Sequence, residues 1–232
     1  MSLKIFFIAL LVTISNLAYA DNLIYIDQSG ASANININQD GSGNRVGSSS
    51  SDSVSSGSST TMDIDQVGNS NTLDYDTQGS STNYTSNASG NSNTVTTNVG
   101  TTGGSNGGAD DVTISETISG NSNTVTTNVG STSSTTTDDV TITTTITGNS
   151  NTVSATENST ASSISDKTTT ISVTGDSNTV SATKSGAAQH DTVLSHTGSS
   201  STISVTQSGA EASTVNATTN GSNSSITISV SD

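Results

Sequence analysis

The amino-acid sequence predicts an all-β fold, a β-solenoid with two strands in each rung of about 22–30 residues. Three observations support this prediction: a composition dominated by small polar residues, a short motif that recurs along the chain, and alternation of apolar and polar residues after each motif. Of the 232 residues, 49 are Ser, 43 are Thr, 24 are Asn and 21 are Gly, whereas only 28% are hydrophobic. Because an ordinary globular domain is roughly half apolar, this composition argues against a thick core of packed helices and against a compact enzyme fold.

The recurring motif is Gly-x-Ser-Asn-Thr-(Val/Leu), which divides the chain into repeats. Five copies are intact and two are degenerate, and successive copies are 22, 30, 28, 27, 23 and 23 residues apart. Weaker glycine turns near the middle of several repeats indicate that a repeat contains two strands. Stacked repeats tolerate insertions that loop out at one side, which explains the longer spacings. The motif glycines are Gly68, Gly90, Gly120, Gly148, Gly175, Gly198 and Gly221.

Alignment on this glycine places similar residues in columns. The fifth residue after the glycine is always aliphatic, and the third is Asn in the five intact copies. Strict alternation with many β-branched residues is typical of a strand with one buried face. We therefore expect an apolar spine and a ladder of Asn amides that hydrogen-bond to one another from rung to rung. The predicted residues are Leu73, Val95, Val125, Val153, Val180, Ile203 and Ile226 in the apolar column, and Asn71, Asn93, Asn123, Asn151 and Asn178 in the amide column.

Two opposite charges fall in one inward column of the alignment. Nine residues after the aligned glycine, Glu157 and Lys184 follow each other in consecutive repeats. In a stack with this register their backbones lie about 4.8 Å apart, and the two side chains can form an ion pair. We predict this contact; the alternative is that both side chains lie near a strand end and point into water. Glu116 shares the inward phase of Ile114 and Ile118, yet no cation partner for it is evident in the sequence.

The repeats resemble the curlin repeat of bacterial curli fibres. That family repeats a Gln-x-Gly-x-x-Asn-x-Ala core, and the segments QDGSGNRV, from Gln39, and QVGNSNTL, from Gln66, match it closely. The resemblance adds Gln39, Asn44 and Gln66 to the predicted ladder residues. It implies a secreted β-solenoid that stacks end to end into amyloid-like fibres for cell adhesion and biofilm.

The Gln column of the curlin repeat is incomplete in this chain. Gln28 and Gln207 preserve only the first half of the motif. Across the middle of the chain, apolar residues such as Ile118, Ile146 and Val173 stand two residues before the turn glycine, where the family has Gln. The resemblance in period nevertheless extends over most of the chain.

The N-terminal residues have the pattern of a secretory signal peptide. Lys4 precedes an apolar run, and Ala18-Tyr19-Ala20 provides a small-x-small cleavage site. We therefore expect a mature chain that begins at Asp21. We also expect this chain to be secreted and to stay associated with the cell surface. The apolar run is too short to cross a bilayer and no second one follows, so no transmembrane segment is expected. The predicted segments are the signal peptide at 1–20, an N-terminal curlin-like segment at 21–47, a Ser-rich linker at 48–60 and the repeat solenoid at 61–232.

The expected function is self-association, as a fibre subunit or a fibre-associated adhesin. The expected partners are further copies of the chain or other curlin-like subunits, and a dedicated secretion pore is a further candidate partner. A formal net charge of −15 argues against nucleic acid, whose binding depends on Lys and Arg. We expect no enzymatic activity and no cofactor, because a narrow rod offers no pocket around His190 or His196.

Two other functions stay open at this point. Outward Thr-x-Thr pairs such as Thr124 and Thr126 recur in successive repeats and resemble the flat hydroxyl array of solenoid ice-binding proteins. Acidic pairs such as Asp110 and Asp111 could bind calcium in a surface adhesin, since hard cations prefer oxygen ligands. The glycine-rich nonapeptide calcium signature of other solenoids is absent, however, so no metal-binding residue is predicted.

Overall fold

The structure of the chain is a computed structural model. The expected signal peptide lies outside the residues that it describes. Among the described residues, all helix or strand assignments are strand. The described residues are 22–41, 44–47, 53–55, 58–68, 70–77, 81–90, 92–100, 110–120, 122–130, 138–148, 150–158, 167–175, 177–185, 190–198, 200–209, 214–221 and 223–231.

Short parallel strands, separated by turns and loops, follow one another along the chain. Most are six to ten residues long, the length that a thin two-sheet rung requires. In chain order they are β1 (Leu23–Ile24), β2 (Asp27–Gln28), β3 (Asn34–Asp40), β4 (Arg45–Val46), β5 (Ser53–Ser55), β6 (Thr61–Val67), β7 (Thr72–Thr77), β8 (Asn83–Ser89), β9 (Thr94–Val99), β10 (Asp110–Ser119), β11 (Thr124–Val129), β12 (Asp138–Thr147), β13 (Thr152–Asn158), β14 (Lys167–Thr174), β15 (Thr179–Ser185), β16 (His190–Thr197), β17 (Thr202–Ser208), β18 (Thr214–Asn220) and β19 (Ser225–Ser231).

The strands form two parallel sheets that share one core. The first sheet has eleven strands along the order β1-β4-β7-β9-β11-β13-β15-β17-β19, with β2 and β5 beside this path. The second sheet has eight strands in the order β18-β16-β14-β12-β10-β8-β6-β3. From β6 onward, consecutive strands alternate between the sheets, so each rung contributes one strand to each. The predicted all-β solenoid with two strands per rung is therefore confirmed.

Strand pairing brings the repeats into register along the whole stack. Val125 pairs with Val95 on one side and with Val153 on the other, and Val153 pairs with Val180. Along β11 the side chains alternate between exposed or half-buried and fully buried. The inward side chains of both sheets, such as Val95 and Ile114, form one continuous apolar core. Each fully buried Val or Ile contributes about 1.5–3 kcal/mol to folding.

The stack begins earlier in the chain than the predicted boundary at residue 61. Strands β1 and β4 continue the first sheet, and β3 pairs with β6 in the second. Strand β5 lies within the predicted Ser-rich linker, yet it pairs with β2 and β7. Backbone hydrogen bonds hold a parallel ladder together, so a Ser-rich segment can join a sheet without an apolar pattern of its own.

The turn between the two strands of a rung depends on its glycine. Gly120 has φ +141° and Ser122 has φ +60°, both outside the range that most residues adopt. A Cβ atom on Gly120 would lie 1.6 Å from the carbonyl oxygen of Gly90 in the preceding rung. The same collision recurs at Gly148 and Gly175. Only a residue without a side chain therefore lets the turns stack at the spacing of the strands.

We expect Gly120→Ala to lower the free energy of unfolding by about 2 kcal/mol more than Gly41→Ala does. Gly41 also has a positive φ, +122°, but no atom lies within 4 Å of the position that a Cβ atom would take there. The pair of variants thus separates backbone strain from the collision between rungs. Urea unfolding followed by circular dichroism measures both values, and equal losses would contradict the stacking explanation.

Candidate functional site

The Asn column connects neighbouring rungs by hydrogen bonds between side chain and backbone. The Asn123 side-chain Oδ1 accepts a hydrogen bond from the backbone N–H of Asn93 at 3.1 Å. The Asn123 Nδ2 group donates to the carbonyl oxygen of Gly120 at 3.2 Å. Each of these amides therefore holds its own turn closed and also fixes the adjacent rung. The rung-to-rung bond recurs from Asn71 to Asn93, from Asn123 to Asn151 and from Asn151 to Asn178.

This arrangement differs from the expected ladder in which Asn amides bond to one another. Each Nδ2 group turns toward the glycine carbonyl of its own turn, which leaves only Oδ1 to reach the next rung. Among the described inward Asn residues, the direct amide contact occurs at the N-terminal end, where Asn22 Nδ2 donates to Asn44 Oδ1 at 3.0 Å. The Asn residues lie where the alignment placed them, but their hydrogen-bonding partner is the backbone.

The Gln residues of the first complete rungs do form a direct amide ladder. Gln66 Nε2 donates to Gln39 Oε1 at 3.0 Å, and both side chains are buried. Gln39 Nε2 also donates to the carbonyl oxygens of Asn22 and Arg45, each at 2.9 Å. Gln66 Nε2 similarly reaches the carbonyl oxygen of Thr72 at 3.2 Å. These two side chains therefore join both sheets and two rungs.

The apolar column is buried along the stack and becomes exposed at its C-terminal end. Its members from β7 to β17 are all buried, whereas Ile226 in β19 is 44% exposed. Ile228 and Val230 of the same strand are 47% and 52% exposed, although they continue columns that are buried in β17. No strand of the described residues covers β19. The buried members of the column are Leu73, Val95, Val125, Val153, Val180 and Ile203.

Glu157 and Lys184 are brought together in the core. They pair in register between β13 and β15, and Lys184 Nζ lies 3.5 Å from Glu157 Oε1. Both side chains are only 1% exposed. Lys184 Nζ also donates to the carbonyl oxygen of Asp191 at 2.9 Å, and the Thr169 hydroxyl donates to Glu157. Burial lowers the pKa of Lys184, while the charge of Glu157 opposes that shift.

Glu116 lies in a cage of threonine hydroxyls. Thr97 and Thr144 each donate to it at 2.9 Å, from the facing sheet and from the next rung respectively. Thr127 hydrogen-bonds to both carboxyl oxygens, at 3.1 and 3.0 Å. The side chain is 1% exposed, and burial raises the pKa of Glu116 although the three hydroxyls oppose that shift. Three threonine hydroxyls thus satisfy the Glu116 carboxyl group in place of a cation.

Sequence reasoning missed the cage and two other buried pairs. Thr97 and Thr127 could have been found, because both stand seven residues after their turn glycine and thus share one inward column. Tyr75 and Tyr84 stack with ring centroids 4.8 Å apart, and both are buried. The remaining pair is formed by His196 and Ser201: the Ser201 hydroxyl hydrogen-bonds to His196 Nε2, and burial lowers the pKa of this His.

The outer face of the first sheet carries regular columns of polar residues. Thr124 pairs with Thr94 and Thr152, and Thr126 pairs with Thr96 and Ser154. These side chains are exposed or half-buried. In the next outward column, Asn128 Nδ2 donates to Asn98 Oδ1 at 2.9 Å. The face is thus a regular array of hydroxyl and amide groups.

We expect Lys184→Met to lower the free energy of unfolding by about 3–5 kcal/mol, because it leaves the Glu157 carboxylate buried without its cation. Adding Glu157→Val should restore most of this loss, because the new valine would pair in register with Val129 of the preceding rung and continue its apolar column. Urea unfolding of both single variants and the double variant gives the coupling energy. A double variant as unstable as Lys184→Met would contradict this account of the pair.

Glu116 should make the fold more stable in acid than at neutral pH. Burial raises the pKa of Glu116 in the folded state above the ordinary value of 4.5. The contribution of Glu116 to the free energy of unfolding is therefore complete below about pH 4.5 and is lost as the pH rises through the folded-state pKa. The loss amounts to at most about 1.4 kcal/mol per pH unit. Glu116→Gln should remove this dependence, whereas Asp63→Asn on the outer face should keep it. Unfolding curves across the pH range test this, and an unchanged slope for Glu116→Gln would refute it.

Comparison with known proteins does not identify a function for the chain, so its function is inferred from the structural features described above. Searches against family models, curated proteins and solved structures gave no match. Within the described residues, no helix is long and apolar enough to cross a membrane. The same residues contain no group of three or more His, Asp or Glu arranged to hold a metal ion. The features that distinguish the chain are therefore its stacked columns and a strand, β19, whose outer edge no strand of the described residues covers.

Proposed function

We propose that this chain is a secreted structural protein that associates with itself end to end and forms fibres for adhesion or an extracellular matrix. The observation that carries the proposal is the exposure of Ile226, Ile228 and Val230 in β19. The same columns are buried in β17, and one additional strand would cover them. An exposed strand edge with unpaired backbone groups is a template for another chain.

Two columns of the stack show how a second copy of the chain would fit this surface. In the register of the stack, Ile24 belongs to the same column as Ile226, because β1, β4 and β7 continue it to the N-terminal end. In the second sheet, Ile35 likewise shares the column of Val215 in β18. All four side chains are exposed or half-buried in the single chain. Placing β1 and β3 of one copy on β19 and β18 of another would bury apolar groups against apolar groups.

The composition supports an assembly that is sensitive to salt. A formal net charge of −15 opposes the approach of two copies over long distances. Added salt screens this repulsion, since the Debye length falls to about 8 Å at physiological ionic strength. Secretion itself is inferred from the signal-peptide pattern at residues 1–20. The curlin resemblance suggests other curlin-like subunits as partners and a dedicated pore for export.

Ice binding is the second candidate function. The observation in its favour is the register of the outward hydroxyls, in which Thr94, Thr124 and Thr152 follow one another on adjacent strands. Strands about 4.8 Å apart, with outward side chains about 6.7 Å apart along each strand, create a regular planar array that could order surface water. This function needs a single rod with a free face, whereas fibre formation needs free ends.

We expect Ile228→Asp to slow fibre formation at least about tenfold, because it places a charge in the apolar column that a second copy must cover. Thr227→Asp is the matched control: it adds the same charge to the same strand but on the outer face, so its effect should be much smaller. Thioflavin fluorescence and electron microscopy at neutral pH measure the rate. Both residues are exposed in the single chain, so neither variant should alter its unfolding curve.

Equal slowing by both variants would show that overall charge, rather than the β19 edge, controls association. A wild-type chain that stays monomeric for days would contradict the proposed function. If that monomer also reshaped ice crystals, the second candidate would be favoured.

A further inference from the structure

We propose that Asn220 and Gly221 form a self-modifying site at the C-terminal edge of the stack. Asn220 deamidates while this edge is free, and it is protected when another copy stacks on the edge. The modification itself rests on two observations of the single chain: Asn220 is exposed, and the Gly221 N–H has no acceptor among the described residues. Its protection rests on the proposed end-to-end association.

The N–H group of the turn glycine is what distinguishes the last rung. In seven successive turns this group donates to a carbonyl oxygen of the following rung, at 2.9–3.1 Å. Gly198 N–H, for example, donates to the carbonyl oxygen of Asn220 at 3.0 Å. Gly221 N–H has no acceptor among the described residues, in which no strand lies beyond β18 in the second sheet. The seven donors are Gly41, Gly68, Gly90, Gly120, Gly148, Gly175 and Gly198.

The residue before the turn glycine is Asn only in this last turn. In the three preceding rungs the position is Thr147, Thr174 and Thr197. Asn220 ends β18 and its side chain is exposed. The chain thus places an Asn-Gly pair, the least hindered pair for ring closure, at a turn whose glycine N–H has no acceptor among the described residues.

The reaction needs no partner other than water. The backbone nitrogen of Gly221 loses its proton and bonds to the Asn220 side-chain carbonyl carbon, and the side-chain amide leaves as ammonia. Water then opens the resulting succinimide at either carbonyl and gives aspartate or isoaspartate. The net change is the replacement of an amide NH₂ by a hydroxyl, which ionises to a carboxylate at neutral pH.

Either product alters the docking edge. Aspartate adds a negative charge to a chain whose formal net charge is already −15. Isoaspartate also lengthens the backbone by one carbon, which shifts the register of the turn. A stacked copy would instead supply a carbonyl acceptor for the Gly221 N–H, as the carbonyl oxygen of Asn220 does for the Gly198 N–H. Ring closure would then require the edge to open first.

The test follows deamidation at Asn220 in the full chain by peptide mapping and mass spectrometry in water labelled with heavy oxygen. Dispersed chain and preformed fibres are incubated side by side at neutral pH. We expect Asn220 to deamidate roughly tenfold more slowly in fibres, since opening costs at least one hydrogen bond. Asn216, which lies in the same strand and precedes Ala, serves as the slow reference.

Variants at the same position connect the chemistry to assembly. Asn220→Thr restores the residue of the preceding rungs and should keep its assembly rate after ageing, whereas the aged wild-type chain should lose it. Asn220→Asp should assemble slowly from the start.

The outcomes separate this inference from the proposed function. Deamidation of Asn220 in the dispersed chain at the rate of Asn216 would overturn the modification site. Equal rates in dispersed chain and fibres would overturn the protection. Failure to form fibres would overturn the proposed function, while the rate in the dispersed chain would still decide whether the site exists.

Discussion

The approach of each turn glycine to the carbonyl of the preceding glycine sets the geometry of the whole stack. At Gly120 and Gly148 this approach leaves no room for a Cβ atom, so the turns lie directly over one another. Once the turns are aligned, every residue that follows falls into the same position in each rung. The columns of Val, Asn and Thr are consequences of this alignment. Repeats of different length can share this alignment, because stacked repeats tolerate insertions at one side.

Fixed columns impose a strict requirement on polar residues that point inward. A buried charge can be satisfied only by its own column, by the facing column or by the backbone. Glu157 finds Lys184 in its own column, whereas Glu116 relies on hydroxyls from the facing sheet and the next rung. Asn123 and its equivalents use the backbone. These three solutions explain how a chain with few apolar residues buries polar side chains in its core.

The columns could be predicted from the sequence because one glycine marks the same point in every repeat. Alignment on it was sufficient to place Val95 over Val125 and to put Glu157 beside Lys184. The partners of Glu116 could not be assigned, because the alignment relates rungs within a sheet but does not say which residues face each other across the core. Likewise, the direction of the Asn amides depends on a rotamer choice, and β5 has no apolar pattern that could distinguish it from a linker.

The Asn column gives the rod an inherent polarity. In each step from Asn71 to Asn178, the side chain of the later rung accepts from the backbone of the earlier one, and the arrangement is not reversed anywhere in this run. Ser201 and Ser224 occupy the column in the last two rungs, so the amide is absent there. The two tips of a rod are consequently different chemical surfaces. A filament built from such rods would lengthen at unequal speeds at its two tips, as cytoskeletal polymers do.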